Sequence, residues 1–179
     1  RTSSRFLTGL PSGIPRPRLL GHANVFEVAG IDDLTESGFA RCQVIARTLG
    51  IVHPDPGGLG PFCRLDVEDV APERPGVYAW VVDQSVMYVG KAKVLRQITH
   101  GVRMQRAYND YTYIPASKVQ QVSNPRVRVN GLLNAALSES HDVTWWWKVS
   151  PDEATAFADE AGLIAAWSPP WNRTRPVAT

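Results

Sequence analysis

Between residues 78 and 128 the chain collects side chains suited to meeting a polyanion. Tyr78 and Tyr88 lie on either side of a short polar break, and Gly90 follows the second tyrosine. Lys91, Lys93, Arg96, Arg103, Arg106, Lys118, Arg126 and Arg128 come next, and within 91–128 only Asp110 opposes them. A local field of one sign favours a partner of the other, and nucleic acid is the commonest polyanion. Charge alone leaves a plain solvated basic face as the alternative. The formal net charge of +2 conceals this patch. Residues 1–20 carry Arg1, Arg5, Arg16 and Arg18 with no acid, and residues 21–75 are acidic.

The elements that must position these groups are legible in outline. Gly76 to Val82 and Val86 to Gly90 are rich in β-branched and aromatic residues around Asp83-Gln84-Ser85, which predicts a hairpin with a three-residue loop. Pairing Val82 with Val86 sets Trp80 opposite Tyr88 and Tyr78 opposite Gly90. Alternation then puts Tyr78, Trp80 and Tyr88 on one sheet face, with both hydroxyls pointing the same way beside a residue that has no side chain. Val94 to Ala107 predicts an amphipathic helix: Leu95, Ile98 and Val102 form an apolar stripe, and Arg96, His100 and Arg103 a cationic one.

Residues 1–22 are rich in Pro, Gly, Ser and Arg and are expected to be an extended arm. Residues 33–49 are expected to be helical, with Leu34, Phe39, Val44, Ile45 and Leu49 as the apolar side and Asp32 or Asp33 as cap. Residues 53–61 must be loop. An insertion is expected at about 108–128, then a short helix over Val129–Ser140. Asp142–Val149 is expected to be a strand with one buried face, and a helix capped by Ser150 is expected to run to about Trp167, where Ser168-Pro169-Pro170 stops it. Trp145 and Trp147 belong on the core face of that strand and Trp146 on the other. Core packing, rather than base stacking, is the expected use of these three together with Trp167 and Trp171.

A chain of 179 residues with a hydrophobic fraction of 44% can build one packed domain with an N-terminal addition. No run approaches the about 20 apolar residues of a membrane helix. Cys42 and Cys63 have no zinc spacing and make no disulfide framework, so free thiols and a cytoplasmic location without membrane contact are expected. The first residue is Arg1, so an earlier segment is expected to have been removed.

The ordered motifs resemble the GIY-YIG nuclease superfamily, with a lean toward its restriction-endonuclease-like members. Pro75-Gly76-Val77-Tyr78 is similar to its first signature and Tyr88-Val89-Gly90-Lys91-Ala92 to its second. Glu160-Ala161-Gly162-Leu163-Ile164, followed by Pro170-Trp171-Asn172, is similar to its metal-binding helix and closing asparagine. The resemblance covers about residues 75–173. It divides the chain into an N-terminal arm and helical extension (1–74) and a nuclease domain (75–179). It implies an α/β (α+β) fold, a small antiparallel sheet flanked by helices, and hydrolysis of phosphodiester bonds in DNA rather than RNA, with a structure- or single-strand-selective nuclease as an alternative. The resemblance also implies one divalent ion, Mg²⁺ or Mn²⁺, held by Glu160.

In that frame Tyr78 is the base for the attacking water and Tyr88 orients water or phosphate. Lys91 helps lower the tyrosine pKa, His100 relays a proton or binds phosphate, and Asn172 pins the C-terminal loop. Arg103, Arg106, Lys118, Arg126 and Arg128 are expected on nucleic acid. One position departs from the family. Its catalytic arginine lies roughly eight residues after the second glycine, and here that residue is Ile98. Ile98 belongs to the apolar stripe with Leu95 and Val102. Either the site is degenerate, or a shorter loop moves the role to Arg96, or Arg103 takes it. Helix geometry favours Arg96, with His100 one turn later. The oligomeric state stays open.

Overall fold

The computed structural model describes residues 28–51, 61–99 and 125–172. In chain order the elements are α1 (Ile31–Glu36), β1 (Ala40–Ile51), β2 (Phe62–Val67), β3 (Gly76–Val82), β4 (Ser85–Ala92), α2 (Arg96–Thr99), α3 (Pro125–Ser138), β5 (Val143–Val149) and α4 (Glu153–Trp167). The five strands form one antiparallel sheet in the order β2-β1-β5-β3-β4. This is the α+β arrangement that the sequence predicted.

The sheet is covered on both faces, because alternation along each strand sends apolar side chains to both. The first face carries Cys42, Val44, Tyr78, Trp80 and Trp145, packed with Leu95, Ile98, Val129 and Leu133. The second carries Val77, Ala79, Val81, Val89 and Trp146, packed with Leu34 of α1 and with Leu163, Ile164 and Trp167 of α4. Trp145 is fully buried and Trp146 is 6% exposed, so the strand expected to have one buried face has two. Trp146, expected to face away from the core, sits in the second core and donates from Nε1 to Thr144 Oγ1 at 2.9 Å.

The helix expected over 33–49 is replaced by α1 and β1. Its supposed apolar stripe belongs to two different cores: Leu34 and Phe39 enter the second, whereas Val44 enters the first together with Cys42. A single helix face cannot serve opposite sides of a sheet, so the chain turns at Ser37-Gly38 and continues as a strand between β2 and β5. Local spacing imitated a helix, and cross-strand pairing overrode it.

The hairpin turn is tighter than expected. Asp83 and Gln84, at φ of 45° and 71°, form a two-residue turn of the primed kind, and Val82 pairs with Ser85. A bulge between Trp80 and Val81 absorbs the offset, so Trp80 still opposes Tyr88 and Tyr78 still opposes Gly90. Two more boundaries shift. α3 begins at Pro125, inside the segment expected as insertion. The N-cap of α4 is Asp152, which accepts from the Thr155 amide at 2.7 Å. Ser150, the expected cap, is fully buried and donates to Asp159 Oδ2 at 2.8 Å. Asp152 wins the cap because its carboxylate stands three residues before Thr155, where an orphan helix N–H points.

Asparagines satisfy the backbone at both edge strands. On β2, the Cys63 N–H donates to Asn130 Oδ1 at 2.9 Å, and Asn130 Nδ2 donates back to the Cys63 carbonyl at 3.0 Å. On β4, Asn172 does the same for Val89. Both cysteines are free, as expected, and both are buried; burial pushes the Cys63 thiol up to about 12. A thiol that stays protonated at neutral pH is no nucleophile. Among the described residues no helix is long and apolar enough to cross a membrane.

A titratable contact closes the hairpin end. His141 Nδ1 bonds Asp83 Oδ2, and the Asp142 N–H donates to Asp83 Oδ1 at 2.9 Å. The Asp83 hydrogen bond and charge raise the His141 pKa above its usual 6.5, and the Asp142 amide, with help from His141, lowers that of Asp83 below 3.8. A raised histidine contributes stability at low pH that is lost as pH rises through its folded pKa. A lowered aspartate contributes stability that is lost as pH falls through its own. The bridge therefore holds best between the two. In an NMR titration His141 is expected to show a midpoint above 6.5, and Asp83→Asn to bring it down. An unchanged midpoint in that variant would mean that Asp83 is not the cause.

Candidate active site

Two groups of the sequence-predicted residues are brought together, on opposite faces of the edge strand β4. On the first face, Tyr78 is 4% exposed, its ring 6.2 Å from that of Tyr88 and 6.1 Å from that of Trp145. Tyr78 leans over Gly90. A Cβ built there would lie 2.7 Å from the Tyr78 Oη and Cζ and 2.9 Å from Tyr88 Cε1, closer than real side chains approach. The phenol thus crosses β4 in the space that a side chain at 90 would fill.

On the second face, the next residue of β4 is Lys91. Its Nζ lies 2.9 Å from Glu160 Oε2 on α4 and 3.6 Å from the ring centroid of Phe157, one turn earlier. The Glu160 side chain is 20% exposed and that of Lys91 37%, so the pair is half-buried but open to ligand. Tyr78 and the lysine–carboxylate pair thus flank β4 from its two faces. α4 stands here because Ala156, Leu163, Ile164 and Trp167 fit it to the sheet, which turns Glu160 inward toward β4.

Asn172 fastens the C-terminal turn to the same strand. The Val89 N–H donates to its Oδ1 and its Nδ2 donates to the Val89 carbonyl, both at 2.8 Å, while the Trp171 N–H donates to the Met87 carbonyl at 2.7 Å. The pinning role expected of Asn172 is thus what its amide does. Arg128, expected on phosphate, donates to the Trp171 carbonyl and ties α3 to this turn. Its half-buried position follows from α3 beginning earlier than the sequence suggested.

The helix arginine stands apart from both groups. The backbone amides of Leu95 and Arg96 donate to the carbonyls of Arg74 and Pro72 at 2.8 and 3.1 Å, which holds α2 against residues 72–74. Arg96 Nη1 consequently pairs with Glu73 Oε1 at 2.9 Å, not with Glu160. Leu95 is fully buried and Ile98 8% exposed, so these two members of the expected stripe face the core, whereas Val102 and the rest of the helix expected to Ala107 lie outside the described residues. His100, Arg103, Arg106 and Lys118 lie outside the described residues, as do the side chain of Arg126 and the arm over 1–22. Glu73 has no signal in local spacing, because it meets Arg96 only through the fold. Phe157 did have one: it precedes Glu160 by one helical turn.

Two residues on α2 separate chemistry from packing. If Arg96 has the catalytic role that the family resemblance implies, Arg96→Ala is expected to slow cleavage by about 100-fold, the scale of one lost transition-state donor, with folding hardly changed because its Glu73 pair is exposed. Ile98→Ala is expected to cost about 2–5 kcal/mol of stability while the folded fraction still cuts. Denaturant melts and single-turnover rates of both variants check this, and an Arg96→Ala enzyme at the parental rate would remove Arg96 from the site.

Glu160 is the only carboxylate paired with Lys91, and no cluster of three or more His, Cys, Asp or Glu suited to a metal occurs among the described residues. Such a donor set does not suit a closed zinc cage. It fits a hard cation such as Mg²⁺, which uses one or two carboxylates and keeps several waters.

No protein-family model matches the chain, and no curated protein does. Solved structures do. A mutant of bacteriophage T4 EndoII superposes with a TM-score of 0.51 over 80% of this chain and 98% of that one, at 17% identity. The chain shares the fold of that structure. A second structure, the GIY-YIG N-terminal endonuclease domain of UvrC from Thermotoga maritima bound to its catalytic magnesium, is 27% identical. It covers 58% of this chain and 89% of that one, with a TM-score of 0.35. In this fold the segments that resemble the two GIY-YIG signatures occupy β3 and β4, and the helix that carries Glu160 is α4.

Proposed function

We propose that this chain is a divalent-metal-dependent endonuclease of the GIY-YIG superfamily that hydrolyses phosphodiester bonds of DNA, in a restriction or defence setting. The observation that carries the reading is the Lys91–Glu160 pair where α4 meets β4, with Tyr78 leaning over Gly90 on the other face of the same strand. The ordered signatures and the fold support it independently.

Glu160 would hold a Mg²⁺ or Mn²⁺ ion, which when bound polarises the phosphate and offsets charge on the leaving oxygen. Tyr78 takes the proton of the attacking water, and Tyr88 beside it orients that water. Lys91, freed from Glu160, stabilises the phosphate. Arg96 is suited to the phosphate oxygens because its planar guanidinium donates in pairs and stays charged, and reaching them means leaving Glu73. His100 would assist with phosphate or proton. Asn172 keeps β4 aligned. Arg103, Arg106, Lys118 and Arg126 would track the backbone of the bound strand, in a cytoplasmic protein.

A second reading has a specific observation behind it. Ile98 is buried at the family's arginine position, and Arg96 is engaged by Glu73. A degenerate site of this kind would bind nucleic acid without cutting it.

Incubation with plasmid and with duplex, branched and single-stranded oligonucleotides, plus Mg²⁺ or Mn²⁺, separates the two. Cleavage that chelation abolishes is the expected result. Binding should weaken steeply with salt, since phosphate contacts release counterions. Binding without cleavage under every metal and substrate would favour the degenerate module.

A further inference from the structure

Phe157 is the most exposed large apolar side chain among the described residues, at 60%. Single exposed apolar residues are ordinary on protein surfaces. The neighbours set this one apart: Lys91 Nζ stands 3.6 Å over its ring, and the same ammonium lies 2.9 Å from Glu160. An open aromatic ring, a cation and the candidate metal carboxylate therefore share one spot on the surface of α4 and β4. Lys93 extends the positive edge and pairs with Glu153, one turn before Phe157.

We infer that Phe157 is a stacking platform for an unpaired nucleobase next to the phosphate held at Lys91 and Glu160. This rests on the nuclease reading and deepens it: the preferred substrate presents an unstacked nucleotide at the cut. Aromatic rings accept any base on their π-face, so such a contact selects for unstacking and not for sequence. Lys91 can turn from the ring to the phosphate that accompanies the base, so its cation–π contact with Phe157 gives way to a charge-assisted one as the base arrives. A base held inside a duplex has both faces occupied by its neighbours and cannot make this contact unless it leaves the stack.

The test uses the full chain with a fluorescein-labelled single strand of mixed sequence, its blunt duplex, and single-strand versions in which one abasic site is moved along the strand. Phe157→Ala is expected to weaken single-strand binding about tenfold, the scale of one lost base–aromatic stack, with duplex binding little changed. Phe157→Trp should bind as the parent does. In the parent, one abasic position should reproduce the loss, and in Phe157→Ala that position should add nothing. Circular dichroism checks that Phe157→Ala is folded. Equal effects of the abasic scan in parent and variant would overturn the proposal and leave Phe157 as a brace for Lys91, with the parent's cleavage keeping the nuclease reading intact. Absence of binding to every strand, with no cleavage, would overturn both.

Discussion

Glu160→Gln is expected to lower metal-dependent cleavage by about 1,000-fold or more while leaving nucleic-acid affinity little changed. Removing a ligand charge forfeits several kcal/mol of stabilisation of the transferring phosphate. The glutamine keeps the shape of the side chain on α4 and loses its charge, so Lys91 keeps a hydrogen-bonding neighbour but not an ion-pair partner. The pair is only half-buried, and its loss should therefore disturb folding little. Cleavage under single-turnover conditions, isothermal titration with Mg²⁺ or Mn²⁺, and oligonucleotide anisotropy together read the three properties. Parental turnover with undiminished metal affinity would exclude Glu160 as the ligand.

The second large effect separates two glycines that both stand in family-like signatures. At Gly76 an added Cβ would lie 2.2 Å from the Lys148 carbonyl oxygen and 2.6 Å from Leu95 Cδ1. The obstacle is the backbone of the neighbouring strand β5, which cannot yield without breaking the ladder. Gly76→Ala is therefore expected to destabilise the fold by at least the about 1–3 kcal/mol typical of overpacking. At Gly90 the obstacle is the end of the Tyr78 side chain, wedged between Tyr88 and Trp145. Gly90→Ala can be relieved by lifting Tyr78, at the lower end of the same range in stability, but the phenol then leaves its place over β4. A cleavage rate lowered at least about 100-fold, as for loss of one positioned catalytic group, is the expected outcome. Thermal melts and rates measured on both variants decide it. A Gly90→Ala enzyme that is parental in rate would show that the hydroxyl's position is immaterial to the reaction.

The ordered signatures added the α+β class through their family resemblance, and residue types and short-range spacing by themselves determined the β3–β4 hairpin with Tyr78, Trp80 and Tyr88 on one face, the α4 helix and the apolar placing of Leu95 and Ile98. These are properties of contacts close along the chain, where side-chain period and turn chemistry act directly. The fold decided the rest. Residues 33–49 became a short helix and a strand because their apolar groups serve two cores on opposite faces of a sheet that closes through β5, about a hundred residues later. Trp146 was buried because α1 and α4 cover the face that alternation had assigned to solvent. Ser150 went inside to Asp159, and Asp152 took its capping role. The candidate site shows the same division. Its residue types are written in two signatures and one helix, whereas the Lys91–Glu160 pair, the Arg96–Glu73 pair and the Asn172 clasp on Val89 join residues 69, 23 and 83 positions apart. No local period encodes such distances. They exist because α4 and the C-terminal turn pack against the edge strand β4 and α2 is held against residues 72–74.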